Sequence, residues 1–169
     1  MKQIALTILF VLFVGSSAFA QEADSLQTQK PSVSVEELAL KVDKLQHDYD
    51  FLWCEYKLRD LINDLNIKSN TLQITSNSIV AEAKHGGYNR ALYNSYTELL
   101  DSYRVNYKAT KDLISTVKTA ILVKIVMGNF SDDEKEVIYA GIESVRNSES
   151  AFEASINHYE AALKIYRGW

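Results

Sequence analysis

The sequence predicts an all-α fold, an elongated antiparallel bundle of three long helices. Apolar residues recur at steps of three and four, which is the period of a helix rather than of a strand. Beyond Pro31 the chain has no proline, so nothing interrupts long helices. Glycine in this part of the chain is confined to Gly86, Gly87, Gly128, Gly141 and Gly168. The Gly86–Gly87 pair and Gly128 divide the chain into three segments, and tight connections favour antiparallel neighbours.

The first helix is predicted over residues 35–84. Ser34 followed by Glu37 forms a capping box, in which each side chain bonds a free backbone amide. One apolar stripe contains Leu38, Val42, Leu45, Tyr49, Leu52 and Tyr56. A second contains Phe51, Cys54, Leu58, Leu61, Leu65, Leu72 and Ile79. The second stripe continues on helical spacing, which favours one helix. Asn and Ser around Asn66 weaken helix propensity, so a break there, giving four helices, is the alternative.

The middle helix is predicted over residues 88–127, with three apolar columns at seven-residue intervals. The first holds Tyr93, Leu100, Tyr107, Ile114 and Ile121. The second holds Tyr96, Tyr103, Thr110 and Val117, and the third holds Leu92, Leu99, Asn106, Leu113 and Ala120. Three adjacent columns make a broad apolar face, so we expect this helix to contact two neighbours.

The last helix starts at a second capping box, Ser131 with Glu134, and has acidic residues in its first turn. Its seam alternates steps of four and three through Ile138, Ile142, Val145, Glu149, Phe152, Ile156, Tyr159, Leu163 and Tyr166. Glu149 is the only polar member. Because a buried carboxylate is costly unless paired, we expect Glu149 to meet a partner across the bundle and to fix its register.

The predicted helices differ in length. At 1.5 Å per residue the first would span about 75 Å and the others about 55 to 60 Å. The first helix must therefore project beyond its neighbours or fold back. A projecting end would be an exposed docking surface.

The N-terminus has the pattern of a secretory signal peptide over residues 1–20. Lys2 precedes an apolar stretch, small residues lead to Ala20, and the chain turns polar at Gln21, so cleavage is expected after Ala20. The apolar stretch is short for a membrane anchor. Residues 21–33 read as a flexible polar leader, and residues 34–169 as the helical bundle domain. The mature protein is expected in the periplasm or outside the cell.

Composition narrows the function classes. Without residues 1–20 the chain carries 17 basic and 22 acidic residues, a net charge of −5, which gives no reason to expect a nucleic-acid partner. A single cysteine cannot form an internal disulfide, so stability must come from packing. The remaining 149 residues are enough for one domain with a sizeable core.

One cluster in the first helix could hold a metal ion. His47, Asp50 and Cys54 share a face, and His158 or His85 would have to supply further ligands. A metal site normally needs three or four ligands, and the sequence offers no second dense cluster. Cys54 also lies within an apolar stripe, where free cysteine is readily buried. The structural interpretation is therefore preferred, and no metal or other cofactor is expected.

Three further features each have a structural and a functional interpretation. Arg104, Lys108, Lys111 and Lys118 gather on one flank of the middle helix. We expect them to pair with Asp43, Asp50, Asp60 and Asp64 on the first helix, or else to dock an acidic partner. Residues 119–128 are strongly apolar and could be the buried end of the core or a membrane-seeking tip. A small-residue column around His158, made of Ser144, Ser148, Ala151, Ser155 and Ala162, indicates tight helix packing or a groove.

The sequence contains no nucleotide-binding loop, nucleophile elbow or metalloprotease motif. We therefore expect an exported, non-catalytic helical protein that serves as an interaction or structural component of the cell envelope or of a surface assembly. Its expected partner is another envelope or secreted protein, or further copies of itself, with no stable membrane insertion after signal cleavage. A periplasmic carrier of a small ligand or metal is the alternative, and a membrane-active helical protein is the third.

Overall fold

The computed structural model describes residues 34–168, so the predicted signal peptide and the leader lie outside the described residues. Three helices make up this range: α1 Val35–His85, α2 Arg90–Met127 and α3 Asp132–Arg167. The prediction of an all-α bundle with three long helices is confirmed. The alternative of a break near Asn66 is wrong, because α1 continues through that stretch without interruption.

Ser34 caps the start of α1 as predicted, and the start of α3 has the complete capping box. The hydroxyl of Ser34 accepts a hydrogen bond of 3.1 Å from the amide of Glu37. At α3 both halves of the box are present: Glu134 N–H donates to Ser131 Oγ at 3.2 Å, and Ser131 N–H donates to Glu134 Oε2 at 2.8 Å. Each contact satisfies an amide that has no partner within the helix.

The α1–α2 turn places the start of α2 two residues later than predicted. Gly87 has a φ of 70°, a conformation that glycine adopts without strain. Asn89 then caps α2, because its side-chain oxygen accepts hydrogen bonds from the amides of Ala91 and Leu92 at 2.9 and 3.2 Å. Asn89 was not singled out in the sequence, although Asn is a preferred capping residue.

The core follows the predicted seam of α3 and the second stripe of α1. On α3 the seam is buried throughout except at Ile142 and Glu149, which are half-buried. The buried members of the α1 stripe are Cys54, Leu58, Leu61, Leu65, Leu72 and Ile79. This α1 stripe is called the inner stripe below. Aromatic rings of α2 complete the core, with Tyr107 meeting Phe152 edge to face at a centroid distance of 5.3 Å.

The apolar face of α2 is narrower than predicted. Its first column is buried or half-buried, but most of the third is exposed, including Leu92, Leu99 and Leu113. Two neighbouring helices cover only the arc of α2 that faces the gap between them. The expectation that α2 contacts both neighbours still holds, since Lys68 of α1 donates to Thr110 at 3.2 Å and Tyr107 donates to Glu153 of α3 at 3.1 Å.

Polar contacts between helices lie inside the bundle as well as at its edges. Ser69 and Ser155 share a buried hydrogen bond of 2.7 Å between α1 and α3. The Tyr159 hydroxyl donates to the backbone carbonyl of Tyr96 at 3.1 Å, which links α3 to α2. Within residues 34–168, every buried side-chain nitrogen or oxygen has a hydrogen-bond partner.

The difference in helix length is resolved by projection of α1. The α2–α3 turn packs against α1 through Phe130, whose ring centroid lies 5.4 Å from that of His47 and 6.3 Å from that of Phe51. Before His47, residues 39–46 are exposed on every side of the helix. These eight residues extend about 12 Å past the turn.

Candidate interaction surface

The first apolar stripe of α1 lies on the surface. Its six side chains are between 52% and 68% exposed: Leu38, Val42, Leu45, Tyr49, Leu52 and Tyr56. We call this set the outer stripe. The steps between its members alternate four and three, which is the spacing of a coiled-coil seam. The outer stripe is therefore a seam without a partner among the described residues.

The geometry of the helix explains why the bundle leaves the outer stripe uncovered. Successive residues are rotated by about 100° around the helix axis, so Tyr56 points about 200° away from Cys54. Cys54 is fully buried in the core, whereas Tyr56 points in the opposite direction and is 62% exposed. Neither neighbouring helix can reach that side of α1.

The outer stripe has clear boundaries. At the positions that would continue it past Tyr56 the chain carries Arg59, Asn63, Asn66 and Asn70. Charged residues flank it on one side, where Lys41, Asp48 and Glu55 recur at seven-residue intervals. An apolar strip bounded by polar residues is typical of a protein interaction site, in contrast to scattered exposed apolar side chains.

A second exposed apolar region lies at the end of α2. Ile121 and Ile125 belong to the core, as expected for the buried end of the bundle, but Leu122, Val123, Val126 and Met127 face outward. Val126 and Met127 are the most exposed, at 83% and 82%. We call these four residues the tip patch. One face of residues 119–128 is therefore the buried end of the core, and the membrane-seeking role of the exposed face stays a prediction.

His47 joins α1 to the start of α3. Its Nε2 lies 3.3 Å from Glu134 Oε2, and its Nδ1 lies 3.5 Å from Asp48 Oδ1. The ring also packs against Phe130. His47 is half-buried and its contacts are those of a side chain that holds two helices together.

Asp50 forms an ion pair with Lys124 of α2, and the Lys124 ammonium also lies 5.1 Å from the centroid of the Trp53 ring. Burial raises the pKa of Asp50, but the hydrogen bond and charge of Lys124, with smaller contributions from Gln46 and His47, outweigh burial. The pKa of Asp50 is therefore below its ordinary value. Asp50 is charged at neutral pH and is bound across the bundle.

Cys54 is fully buried in the inner stripe. Burial raises the pKa of its thiol, which keeps it protonated at neutral pH. A protonated and shielded thiol is a poor nucleophile and a poor metal ligand. These properties favour the structural interpretation of Cys54.

The residues weighed as metal ligands are not brought together. His158 is exposed on α3, close to Glu160, which pairs with Arg104. Asp50 pairs with Lys124. Lys124 lies 20 residues from Arg104 along α2, which corresponds to about 30 Å. Within residues 34–168, no three His, Cys, Asp or Glu side chains are placed to hold a metal ion.

The basic residues of α2 have partners other than those expected. Arg104 pairs with Asp101 on its own helix and with Glu160 on α3. Lys111 Nζ lies 3.9 Å from Glu149 Oε1, also on α3, and 4.8 Å from the centroid of the Tyr107 ring. The expectation of pairing with Asp43, Asp50, Asp60 and Asp64 is wrong for these two, because their flank of α2 faces α3 rather than α1.

Glu149 lies at the edge of the seam with 21% of its side chain exposed, so its carboxylate is stabilised both by water and by Lys111. Lys118 lines a shallow groove beside Glu149, and Lys108 is exposed. The register role of Glu149 and the docking role of the basic residues remain predictions.

The small-residue column serves the contact between α1 and α3. Ser155 accepts a hydrogen bond of 3.3 Å from Gln73 as well as bonding Ser69, and Ser148 and Ala162 are also buried. The other members, Ser144 and Ala151, are exposed. Small side chains at this interface let the two helices approach closely, as the packing interpretation expects.

Sequence reasoning missed Lys68. Its ammonium donates to Asp64 at 2.6 Å and to Thr110 at 3.2 Å, so it connects α1 to α2 at mid-length. The i, i+4 spacing of Asp64 and Lys68 was the available signal. It did not indicate the contact across to α2.

Comparisons with known proteins leave the family open. No protein-family model, curated protein or solved structure matches the chain. Among the described helices, none is both long enough and apolar enough to cross a membrane.

Proposed function

We propose that this is an exported, non-catalytic protein that acts as an interaction or structural component of the cell envelope or of a surface assembly. The outer stripe of α1 is its binding surface. The observation that carries the proposal is the exposure of six apolar side chains on coiled-coil spacing. A helix with this pattern binds another helix by laying its apolar face into a complementary groove or seam.

The ion pairs between the helices support binding rather than catalysis. The groups that chemistry would need are engaged in contacts between helices: Asp50 with Lys124, Glu149 with Lys111, and His47 with Glu134. Cys54 is enclosed by the core. Such pairs stabilise the arrangement of the helices and leave these side chains committed to it.

Export is supported by the signal pattern of residues 1–20. Expression of the full chain in a host with a secretory pathway, followed by fractionation, tests it. We expect protein outside the cytoplasm whose first residue is Gln21. An intact N-terminus on cytoplasmic protein would contradict export.

The binding role is tested by affinity capture with two matched variants. The stripe variant carries Leu45→Gln and Leu52→Gln, and the control variant carries Ile67→Gln and Ile74→Gln, which are similarly exposed positions of α1 outside the stripe. Mature parent protein is used as bait in an envelope extract. We expect a partner retained by the parent and the control and lost by the stripe variant. Equal retention by both variants would argue against the outer stripe as the binding surface.

A second candidate is reversible association with a membrane surface through the tip patch, favoured by the exposure of Val126 and Met127. The acidic residues that follow, Asp132 and Asp133, oppose it for anionic lipids, because like charges repel. Flotation with zwitterionic and with anionic liposomes decides the point. If this candidate is right, the mature protein floats with the lipid fraction, and a variant that carries Val126→Ser and Met127→Ser does not.

A further inference from the structure

We propose that the occupant of the outer stripe is the outer stripe of a second copy of this chain, packed antiparallel. This inference rests on the proposed function, because it takes the outer stripe to be a binding surface and names its partner. Three observations lead to it. The residues of the outer stripe can pair with those of a second, oppositely directed outer stripe, the flanking charges favour that direction, and the exposed area is large enough for a dimer.

The outer stripe matches itself when one copy is turned end over end. Antiparallel coiled coils pair the two kinds of seam position with each other. In the centred register Leu45 of each copy lies opposite Tyr49 of the second copy, and Val42 lies opposite Leu52. Leu38 then lies opposite Tyr56. Every member of the stripe has a partner, and each large tyrosine faces a leucine rather than another tyrosine.

The flanking charges favour the antiparallel over the parallel arrangement. In the centred antiparallel register Lys41 of each copy lies beside Glu55 of the second copy, which gives two contacts of opposite charge. In a parallel pair, Glu55 would instead lie beside Asp60 of the second copy, with repulsion at both symmetric sites. The antiparallel register also brings the two Asp48 side chains together at the symmetry axis. That is a single like-charge contact at an exposed site, where such interactions are weak.

The exposed area is sufficient for a dimer. The six side chains, each more than half exposed, offer on the order of 700 Å² per copy, close to the roughly 800 Å² that each partner buries in a standard interface. The two bundles do not obstruct each other. On each copy the inner stripe, with α2 and α3, lies on the far side of α1 from the outer stripe, so both bundles stay outside the new contact.

Sedimentation velocity of the mature protein across the micromolar range tests self-association. We expect a dimer whose population falls on dilution. Because Leu45→Gln removes two apolar side chains from each dimer, it should raise the dissociation constant by about 100-fold or more. Ile74→Gln, at a similarly exposed position beyond the register, should leave the dissociation constant unchanged. A parent protein that stays monomeric, or a dimer that tolerates Leu45→Gln, would overturn the inference.

Charge reversal tests the orientation. Glu55→Lys places two lysines together in the antiparallel register and should weaken the dimer, and Lys41→Glu added to it should restore the affinity. In a parallel dimer Glu55→Lys would instead meet Asp60 and strengthen association. Tighter binding by the single variant therefore contradicts the antiparallel proposal.

A cysteine cross-link tests the register. In the antiparallel register the exposed Gln46 residues of the two copies lie near the symmetry axis. Gln46→Cys, introduced with Cys54→Ala so that no other thiol is present, should form a disulfide-linked dimer under mild oxidation. Absence of this product from a sample shown to be dimeric would overturn the centred register.

The failure of this inference can be told apart from the failure of the proposed function. A monomeric parent whose stripe variant loses an envelope partner would refute the second copy as occupant and leave the binding role intact. A monomeric parent whose stripe variant keeps every partner would refute both.

Discussion

Two stripes of the same helix, with similar composition and spacing, have opposite environments. The inner stripe of α1 is at most 4% exposed over Cys54, Leu58, Leu61 and Leu65, whereas the outer stripe is at least 52% exposed. Both contain leucine at helical spacing, and both overlap the same turns. The difference arises from position around the helix axis, because α2 and α3 lie only on the inner side.

This difference shows what a hydrophobic period determines. The period states which residues share a face of the helix. It does not state whether that face is covered by the same chain or by another molecule. A helix with two apolar faces separated by about 200° has one face more than a three-helix bundle can use. Substitutions at matched positions of the two stripes therefore measure the difference between the two environments.

The largest expected contrast is in thiol reactivity. Cys54 of the inner stripe should react with a thiol reagent only when the bundle opens, and burial has also raised its pKa. Leu45→Cys in a Cys54→Ala background places the thiol on the outer stripe. We expect the outer thiol to react faster by on the order of 1000-fold or more, since access to the inner one requires unfolding. Reaction rates in dilute native protein give the ratio.

The control for this comparison is the unfolded chain, in which both thiols should react at similar rates. Comparable rates in the native proteins would mean that Cys54 is accessible, against its burial. A rate for the outer thiol that falls as protein concentration rises would report the proposed dimer.

The next contrast is in stability. Leu65→Ala removes a fully buried side chain from the inner stripe and should lower the free energy of unfolding by about 2–5 kcal/mol. Leu52→Ala makes the same chemical change on the outer stripe and should alter it by about 0.5 kcal/mol or less. Urea denaturation at a concentration where the protein is monomeric measures both. Equal losses would show that the outer stripe is packed within the chain.

Much of the fold could be predicted because the relevant signals are local. The starts of α1 and α3 follow from Ser34, Ser131 and Glu134, whose side chains accept hydrogen bonds from backbone amides three residues away. The α3 helix has a single apolar seam, so that seam was predicted to lie in the core. Cys54 was placed in the core by its neighbours in the inner stripe.

The parts that sequence reasoning missed depend on where neighbouring helices lie. The third column of α2 has the same period as the buried first column, and only the positions of α1 and α3 distinguish them. Arg104 had acidic candidates on both neighbours, and the rotation of α2 directs it to Glu160. Of the candidate binding surface, the residues could be read from the sequence but their exposure could not.

A smaller loss of stability is expected from adding a side chain at Gly141, where α3 packs closely against Leu58 of the inner stripe. A Cβ atom at Gly141 of α3 would lie 2.8 Å from Leu58 Cδ1, so a side chain there displaces a buried leucine. We expect Gly141→Val to lower the free energy of unfolding by about 1–3 kcal/mol. Ala154→Val, at an exposed position of the same helix, controls for the branched side chain. Because valine has a higher helix propensity than glycine, a Gly141→Val protein at least as stable as the parent would mean that Leu58 yields without cost.

The smallest expected effect concerns Asp50, which anchors α1 to Lys124 at the level of the outer stripe. Because its pKa in the folded protein is below the ordinary value of 3.8, the ion pair stabilises the bundle above that pH. This contribution is lost as the pH falls through the folded-state pKa. Asp50→Asn should therefore lower stability at neutral pH by about 1 kcal/mol or less, with a difference from the parent that shrinks in acid.

Urea midpoints of the parent and Asp50→Asn from neutral pH to below about pH 4 measure this effect. Asp101→Asn, which breaks an exposed pair within α2, is the matched control and should change the midpoint less. A pH-independent difference for Asp50→Asn would mean that the carboxylate charge is not what Lys124 binds. Since Asp50 lies between Tyr49 and Leu52, this variant also separates the two stripes: it weakens the inner attachment of α1 and leaves the outer residues unchanged. Dimer affinity that survives Asp50→Asn while stability declines would show that the two faces of α1 act independently.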